Sequence, residues 1–547
     1  MKSSSSLPKH LYLITTPASP NLHKPSPETM GSKGFNLHRM TQAGLNVPVA
    51  LVIGTHYTHA PQDCFLPVFS VGLHALEEST GLLFGDERNP LILSVRSGAP
   101  VSMPGMLETL LNIGLNDHTL PGLVRQTGNP RMVWDAYRRL VASYGEVVQG
   151  LPAALFETEI ERITQGQDER LLDFSQLRQL TRSFLTLYET HAGRAFPQDA
   201  REQLSGAIGA VFASWNADKA VAYRHIHQID HGMGTAVILQ RMVFGNTGGH
   251  SGAGVGFTRD PSTGENRLWV DFLANAQGED VASGRRNAHG HATLVAVAPD
   301  AWQQLQASAQ ALEQHFKDMQ DFEFTVQDGV LHLLQTRAGK RTPLATVRIA
   351  LDLLDEGLID STEALRRTES IHKDALGTVR MVASDDADST PTPLALALAL
   401  ANPACSGVVS GAIALDAQAV ERLVQQGMPA ILVRQDAETS DIAAMQGAQG
   451  LLTQRGARTS HAAVVARQMG KTCLVGCTAL HIDEAARAVQ IGHLTLAENE
   501  LITLDGNDGA IYAGQATSAL VPDTALQERL EDLRSQHHGK RVRHHEH

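Results

Sequence analysis

The sequence is poor in features that mark several specialised protein classes. It contains only 4 cysteines in 547 residues, and its net charge is -13. So few thiols cannot supply a disulfide framework for a chain of this size, which predicts a reducing compartment. General binders of nucleic acid or anionic membranes carry a basic excess that this chain lacks. We therefore expect no nucleic-acid partner.

Long apolar segments are also missing. The apolar stretch Leu11–Ile14 is too brief for the hydrophobic region of a secretion signal, and no uncharged run approaches membrane-spanning length. These absences predict a cytoplasmic protein with no membrane contact. Cys473 and Cys477 lack a second pair of thiols, so we interpret them as small core residues rather than metal ligands.

The chain is long enough for about three or four domains. Helical periodicity with few strand signals follows residue 118, while mixed helix and strand signals lie on either side of that stretch. The predicted class is multidomain, α/β and α+β. The predicted segments are 1–117, a helical insertion at 118–205, 206–344, a helical linker at 345–401, a compact α/β unit at 402–515 and a C-terminal tail at 516–547, in which a charged helix from about 525 precedes the frayed, solvated segment HHGKRVRHHEH.

Two basic residues stand where a phosphate group would suit them. Arg96 ends the apolar run Leu91–Arg96, a predicted buried strand in which a charge needs a partner. A guanidinium group can bind phosphate through two hydrogen bonds, and a buried salt bridge is the alternative. Lys33 lies in the glycine-rich turn Gly31–Gly34, where the backbone can approach a phosphate closely, although such a pair is often only a turn.

Two acidic residues share one face of a predicted strand. Asp321 and Glu323 are two positions apart, and Gln335 and Arg337 have the same spacing on the next strand. Carboxylates that face a polyphosphate would hold magnesium, whereas ordinary edge-strand polar residues are the alternative. We predict a three-residue loop, 327–329, because a two-residue loop would put Gln335 and Glu323 on opposite faces.

The most informative segment reads GARTSHAAVVARQMGKTCLVG, from Gly456 to Gly476. His461 follows Thr459 and Ser460 at a predicted helix start, where unpaired N–H groups and a partial positive charge would hold a phosphoryl group. This position predicts a phosphohistidine with Thr459, Ser460 and Arg467 around it. For the tripeptide alone, the alternative is a capping Thr-Ser before an ordinary surface histidine.

This segment resembles the swivelling phosphohistidine domain of the pyruvate phosphate dikinase family, although Ala457 replaces a usual glycine and Arg458 a usual methionine. The resemblance extends over residues 20–515. Its other blocks are GSKGFNLHRMTQAGLNVP, SVRSGAPVSMPGMLETLLNIGLND, WDAYRRL, TAVILQRMVFGNTGGHSGAGVGFTRDPSTGE, NAQGEDV, MQDFEFT and LLQTRAGKRT. It implies an ATP-grasp fold for 1–117 and 206–344, with the phosphohistidine domain at 402–515.

The resemblance also implies roles for individual residues. It makes His461 the phosphorylated residue, with Arg96 and Arg337 as further catalytic groups. We expect one of Arg138 and Arg139 to face phosphate, assigned as Arg139, and the other to face solvent. The segment Gly245–Gly256 is a candidate mobile lid. The implied nucleotide ligands are Lys33, Arg96, Arg139, Gln240, Val243, Glu279, Asp321, Glu323, Gln335 and Arg337, and the implied magnesium ligands are Glu323 and Gln335.

The implied reaction begins with ATP and magnesium, with a monovalent cation as a further candidate cofactor. Neutral His461 attacks the β-phosphoryl group and the γ-phosphoryl group passes to inorganic phosphate, leaving AMP, pyrophosphate and phosphohistidine. In the family a (β/α)8 barrel holds phosphoenolpyruvate and pyruvate. We therefore expect the acceptor to be bound by a separate subunit, and a homodimer is a candidate assembly. A phosphohistidine relay or regulatory carrier, a kinase of another small molecule and a nucleotide-binding protein without turnover remain alternatives.

Overall fold

A computed structural model describes residues 7–18, 24–103, 105–282, 290–382, 397–436, 441–456, 458 and 460–544. Its contacts divide the chain into two compact units. The first comprises Met1–Ser251 with Thr325–Thr336, and the second comprises Gly252–Phe324 with Arg337–His547. The fold is a mixed α/β, multidomain arrangement with several sheets.

The first unit contains the following elements. Its strands are β1 (Leu11–Ile14), β2 (Ala50–Ile53), β3 (Leu83–Phe84), β4 (Pro90–Leu91), β5 (Leu93–Gly98), β6 (Thr109–Ile113) and β7 (Ala236–Arg241). Its helices are α1 (Pro27–Gln42), α2 (Phe65–Pro67), α3 (Leu73–Thr80), α4 (Leu120–Thr127), α5 (Pro130–Gln149), α6 (Ala154–Thr164), α7 (Phe174–Ala192), α8 (Ala200–Ala213) and α9 (Asp218–Ile226). Short 3-10 segments lie at Thr55–His59, Pro61–Cys64, Glu169–Leu171, Ser214–Asn216 and His231–Met233, and Val68–Gly72 is a π-helical turn.

The main sheet of this unit has the order β1-β2-β7-β5-β6, with every neighbouring pair antiparallel. One apolar core runs from this sheet into the helices of the segment predicted as an insertion. Helix α5 packs on α7 within that core, through residues such as Leu140 and Phe184 that are fully buried. The hydrophobic periodicity of the two helices therefore corresponds to a shared buried face.

The second unit begins with strands β8 (Gly252–Phe257), β9 (Trp269–Ala274), β10 (Gln320–Gln327) and β11 (Val330–Ala338), of which β10 and β11 extend into both units. Its later strands are β12 (Gly377–Met381), β13 (Ala399–Leu400), β14 (Asn402–Cys405), β15 (Val408–Ala414), β16 (Ala430–Arg434), β17 (Gly450–Thr453), β18 (Thr472–Val475), β19 (Leu480–Asp483), β20 (Ala488–Ile491), β21 (Leu494–Ala497), β22 (Leu501–Asp505), β23 (Ala510–Ala513) and β24 (Ser518–Pro522). Its helices are α10 (Gly278–Ala282), α11 (Ala292–Val297), α12 (Pro299–Phe316), α13 (Pro343–Asp355), α14 (Ser361–Thr368), α15 (Ala417–Gln425), α16 (Ile442–Gly447), α17 (His461–Gln468) and α18 (Thr524–His544), with a 3-10 segment at Lys373–Ala375.

The glycines of β8 alternate for a packing reason. Side chains on Gly252, Gly254 and Gly256 would lie within 2.6 Å of the rings of Phe272, Phe324 and Phe322, respectively. Three aromatic rings therefore cover one face of this strand, and only glycine leaves room for them. The candidate lid is thus wrong for 252–256, because those residues form a strand.

The largest sheet has the order β13-β23-β22-β15-β16-β17-β18-β14, and β15 to β18 within it are parallel. Small residues such as Ala412 and Ala414 face helices α15 to α17. Larger residues such as Ile413 and Leu452 face the three-stranded sheet β19-β20-β21. This alternation places a helical layer on the face that carries α17.

One predicted feature of the local structure is wrong. The turn between β10 and β11 has two residues, because Asp328 and Gly329 both take positive φ values, 51° and 81°, as a type I′ turn requires. The charged helix predicted from about residue 525 is present as α18, and its Leu526, Leu530 and Leu533 join the core formed by α13 and α14. The periodicity of these leucines fixes that helix against its neighbours.

Candidate functional site

Helix α17 begins at His461. Ser460 caps it, because the Ser460 hydroxyl accepts a hydrogen bond from the backbone N–H of Ala463 at 3.4 Å. The backbone of His461 therefore occupies the first helical position, where N–H groups lack partners within the helix. Ala457 and Thr459, also singled out by the sequence, lie outside the described residues.

The position of α17 in the sheet is also typical of a binding site. The helix follows β17 and precedes β18, and these two strands are parallel neighbours. Its N-terminus therefore lies beyond the carboxyl end of a parallel strand, where α/β sheets commonly bind ligands. Gly456 in the connecting loop has a φ of 123°, a conformation that favours glycine.

Arg467 is buried at the other end of the same helix, with 1% of its surface exposed. Its guanidinium donates to the carbonyl oxygens of Ala404 and Arg458, in each case at 2.9 Å. Nη1 is buried without a hydrogen-bond partner among the described residues. Burial lowers the pKa of Arg467. These contacts tie the helix to β14 and to the loop before His461.

The structure also identifies an ion pair that the sequence analysis missed. Arg458 Nε and Nη2 donate to Oδ1 of Asp271 at 2.9 and 2.6 Å, and the backbone N–H of Arg458 donates to Oδ2 at 3.2 Å. Asp271 is fully buried on β9. Its signal was a carboxylate inside the apolar run LWVDFLA, the same kind of signal that singled out Arg96.

Three residues predicted as nucleotide ligands come together in the first unit. Arg96 donates from Nη1 to Oε1 of Gln240 at 3.4 Å and from Nη2 to Oε1 of Gln335 at 3.2 Å. Nη1 also donates to the carbonyl oxygen of Leu334 at 3.5 Å. None of these three oxygens carries a formal charge, so they orient the guanidinium without neutralising it.

Lys33 follows a close backbone contact with the strand that carries Arg96. Gly31 has a φ of 67°, and a Cβ there would lie 1.6 Å from the carbonyl oxygen of Gly98. Ser32 donates from its backbone N–H and from its hydroxyl to the carbonyl oxygen of Ala99, both at 2.9 Å. The predicted glycine-rich turn is therefore a kink within α1 at Gly31, and this kink holds Lys33 at the end of β5.

Gln240 and Val243 were both predicted as nucleotide ligands, and the structure distinguishes between their backbones. Gln240 lies on β7 between β2 and β5, so its backbone is within the sheet rather than at an edge. The N–H groups of Arg241 and Met242 donate to the carbonyl oxygens of Val49 and Ile92 at 2.9 Å. Val243, beyond the end of the strand, is therefore a better candidate than Gln240 for a backbone contact with adenine.

The two arginines of α5 share one carboxylate. Arg138 and Arg139 contact the two oxygens of Asp135 at 2.7 and 3.0 Å. Burial acts to raise the pKa of Asp135. The charges of the two arginines together outweigh this effect, so the net shift of the pKa is downward. Arg138 also contacts Glu169 at 3.1 Å and is only 5% exposed. The prediction that the arginine not facing phosphate would face solvent is therefore wrong for Arg138.

In the second unit, Asp321 and Arg337 form a buried ion pair, with Arg337 Nε 2.7 Å from Asp321 Oδ2. Burial raises the pKa of Asp321, whereas the charges of Arg337 and Arg467 act to lower it. Burial acts to lower the pKa of Arg337, but Asp321 and Glu323 outweigh it, so the guanidinium stays charged. Glu279 is exposed in the first turn of α10.

The chemistry of the predicted metal ligands suits magnesium. Glu323 offers a carboxylate and Gln335 an amide oxygen, and magnesium prefers oxygen ligands supplemented by substrate phosphates. The Gln335 oxygen already accepts from Arg96, but a carbonyl oxygen has two lone pairs, so one stays available for a metal. The chemistry of these donors therefore fits the ion, but the two-residue turn removes the register argument for placing Glu323 and Gln335 on one face.

Comparisons with known proteins decide the family. The sequence profile for the AMP/ATP-binding domain of pyruvate phosphate dikinase matches residues 73–294 and 288–357, which is more than half of the chain. The chain belongs to the pyruvate phosphate dikinase family. The profile for the mobile domain of PEP-utilising enzymes matches residues 427–509, a range that includes α17.

Individual members of the pyruvate phosphate dikinase family show the same similarity. The chain is 41% identical over 500 residues to pyruvate, phosphate dikinase of Clostridium symbiosum, covering 89% of this chain and 56% of that protein. It is 41% identical over 508 residues to a chloroplastic pyruvate, phosphate dikinase of Arabidopsis thaliana, covering 90% and 52%. For the Rhizobium meliloti protein the identity is 40% over 512 residues, covering 89% and 56%. The chain thus spans about half the length of these relatives.

Helices that could cross a membrane were also sought. Within the part of the chain that the structure describes, none combines the length and the apolar character that a membrane span requires.

Proposed function

We propose that this chain is a phosphotransferase that loads His461 with the β-phosphoryl group of ATP. The observation that carries the proposal is the start of α17 at His461, beyond a parallel strand and within the range matched by the mobile-domain profile. A helix N-terminus favours an anion through its N–H groups and its dipole. A phosphoryl group on the imidazole would gain that stabilisation.

The loading reaction needs two steps to balance its phosphoryl groups. A nitrogen of neutral His461 attacks the β-phosphorus of ATP, and the bond to the α-phosphate breaks to release AMP. Inorganic phosphate then takes the γ-phosphoryl group from the pyrophosphorylated histidine, which releases pyrophosphate and leaves phosphohistidine. Neutral imidazole predominates near pH 7, because its reference pKa is about 6.5.

Residues of both units supply the proposed nucleotide contacts. Arg96, oriented by uncharged oxygens, would bind the triphosphate, and Lys33 at the end of the same strand would add a second cation. Arg337 keeps its charge beside Asp321 and would stabilise charge that develops during transfer. Magnesium bound by Glu323 and Gln335 would neutralise charge on the phosphate oxygens.

The acceptor forms a further part of the proposal. We infer that phosphohistidine passes to pyruvate, or to another small molecule, held by a separate subunit. The relatives that match 89% and 90% of this chain are named pyruvate, phosphate dikinases, which supports pyruvate as the first acceptor to test.

Isotope position tests the loading reaction directly. The purified chain is incubated with magnesium and ATP labelled at the β- or the γ-phosphate, with and without inorganic phosphate. We expect acid-labile, base-stable β-label on the protein in both conditions. The γ-label should remain only when phosphate is absent, because phosphate removes it as pyrophosphate.

Two substitutions identify the labelled residue. H461N and H461A should abolish protein-bound label and AMP release, whereas H493N, which changes a histidine in the turn between β20 and β21, should not. Mass spectrometry of the digested protein would place the phosphoryl group on the peptide that contains His461. Undiminished AMP formation by H461N would refute the proposal.

A further inference from the structure

We propose that Arg458 is a positioning residue, which docks the loop before His461 onto Asp271 and Trp269 of β9 and thereby holds α17 in the orientation used for loading. This inference rests on the proposed function of His461. Arg458 precedes His461 by three positions, so a restraint on Arg458 also restrains the start of the helix.

The contact with β9 uses the Nε and Nη2 groups of Arg458 and its backbone N–H. Nη2 donates to the carbonyl oxygen of Val270 at 3.1 Å, in addition to its bond to the carboxylate of Asp271. The guanidinium carbon lies 3.9 Å from the ring centroid of Trp269, a cation–π contact. Since Trp269 and Asp271 are two positions apart on one strand, they present a shared face to the arginine.

Burial makes this contact selective. The side chain of Asp271 has no exposed surface, and that of Arg458 is 16% exposed. A buried carboxylate is unfavourable without a partner. The arrangement in which Asp271 is buried against the loop before His461 therefore requires Arg458. If the loop moves away, water reaches Asp271 and replaces the arginine. The pair therefore favours one orientation without preventing release.

A second arginine, Arg467 on α17, reinforces the contact of this loop with β9. The guanidinium of Arg467 lies 5.1 Å from the ring of Phe257 and 5.6 Å from that of Trp269. It donates to the backbone carbonyl of Arg458, so the two arginines are linked directly. Its charge acts on Asp321, the partner of Arg337. The docked helix therefore lies near a pair that we assign to phosphoryl transfer.

Single-turnover kinetics tests the role of Arg458. R458M keeps a long side chain for Trp269 but removes all five donors, and D271N removes the charge of the partner while keeping its size. With β-labelled ATP at saturation, we expect both variants to load His461 at least tenfold more slowly than the wild type. ATP affinity, measured by calorimetry with a non-hydrolysable analogue, should change less than twofold.

A matched control lies in the same loop. Arg455 is 51% exposed and contacts Asp436 at 3.5 Å, so R455M should load at the wild-type rate. Thermal unfolding of each variant would detect a general loss of structure. A loading defect in R458M without a shift in the unfolding temperature separates positioning from folding.

A distance measurement makes the docking visible without any reaction. Gln304 on α12 and Gln425 on α15 are exposed, and the native cysteines are buried, so spin labels on Q304C and Q425C report the orientation of the phosphohistidine domain. The wild-type background should give one dominant distance. The R458M and D271N backgrounds should give a broader distribution shifted from it.

The outcomes are distinct. Slow loading together with a changed distance distribution in R458M and D271N supports the proposal. Loading at the wild-type rate, or an unchanged distance distribution, overturns it. If the wild type takes up no label at all, the proposed function of His461 falls, and the distance distributions alone decide whether Arg458 docks the loop.

Discussion

At the residue scale, His332 shows how a single buried group can carry a pH dependence. Nδ1 of His332 lies 3.2 Å from the side-chain nitrogen of Asn46, which can only donate, so Nδ1 must accept and stay unprotonated. Burial and, to a smaller extent, the charge of Arg241 together lower the pKa of His332 to about 4. The folded chain therefore holds this imidazole neutral at pH values where the unfolded chain protonates it.

The consequence is a loss of stability in acid. Because the folded pKa lies below the unfolded value, the contribution of His332 is complete above pH 6.5 and is lost as the pH falls toward 4. Between pH 7 and pH 5 we expect the wild type to lose about 1–2 kcal/mol more unfolding free energy than H332Q. Urea unfolding at both pH values would measure this difference.

The control for this prediction is H74Q, which changes a histidine on an exposed surface and should behave as the wild type does. An H332Q variant with the same pH dependence as the wild type would contradict the assignment.

Residue patterns predicted part of the candidate site. A charge inside an apolar run singled out Arg96, and the structure does bring it together with Gln240 and Gln335. The same pattern at Asp271 was overlooked, and its partner could not be inferred, since Arg458 lies 187 positions away. Spacing along the sequence does not predict such a contact. It becomes visible only when the positions of β9 and of the loop before α17 in the fold are known.

At the scale of elements, the least predictable features were those set by turn geometry and tertiary packing. The turn at Asp328–Gly329 reads as either two or three residues, and only the positive φ of Asp328 decides. Asp321 and Arg337 nevertheless contact each other, although the sequence analysis made a shared face depend on a three-residue loop. Loop length alone was therefore a poor guide to which residues share a face.

Helix α18 offers a test of an element that looks merely charged. Leu530 is fully buried against α13 and α14, together with Leu526 and Leu533. We expect L530A to destabilise the second unit by about 2–4 kcal/mol, because it removes apolar contacts and leaves a cavity. L520A, which shortens a leucine that is 47% exposed on β24, is the matched control and should change stability by less than about 0.5 kcal/mol. Chemical unfolding followed by circular dichroism measures both, and an unchanged midpoint for L530A would mean that α18 does not belong to this core.

At the scale of the whole molecule, the two units divide the proposed work unevenly. The first contains Lys33, Arg96 and Gln335, whereas the second contains Asp321, Glu323 and Arg337 together with the helix that begins at His461. The family profile crosses that division, since it runs from residue 73 to residue 357. The residues proposed for nucleotide binding and histidine loading are therefore divided between the two units, and neither unit alone holds all of them.

The acceptor of the phosphoryl group is also a question about the whole molecule. The proposal that a separate subunit holds the acceptor predicts that loading and acceptance are separable. Chain loaded with β-label and freed of nucleotide should retain its label when pyruvate is added. It should lose the label to phosphoenolpyruvate only when a second polypeptide that binds pyruvate is also present. Chromatography of the small molecules and electrophoresis of the proteins would follow the label, with H461N as the unlabelled control. Phosphoenolpyruvate formed by the chain alone would place the acceptor site within these 547 residues. Label transferred to another protein would favour a relay. In each case the molecule that carries the labelled phosphorus identifies the acceptor.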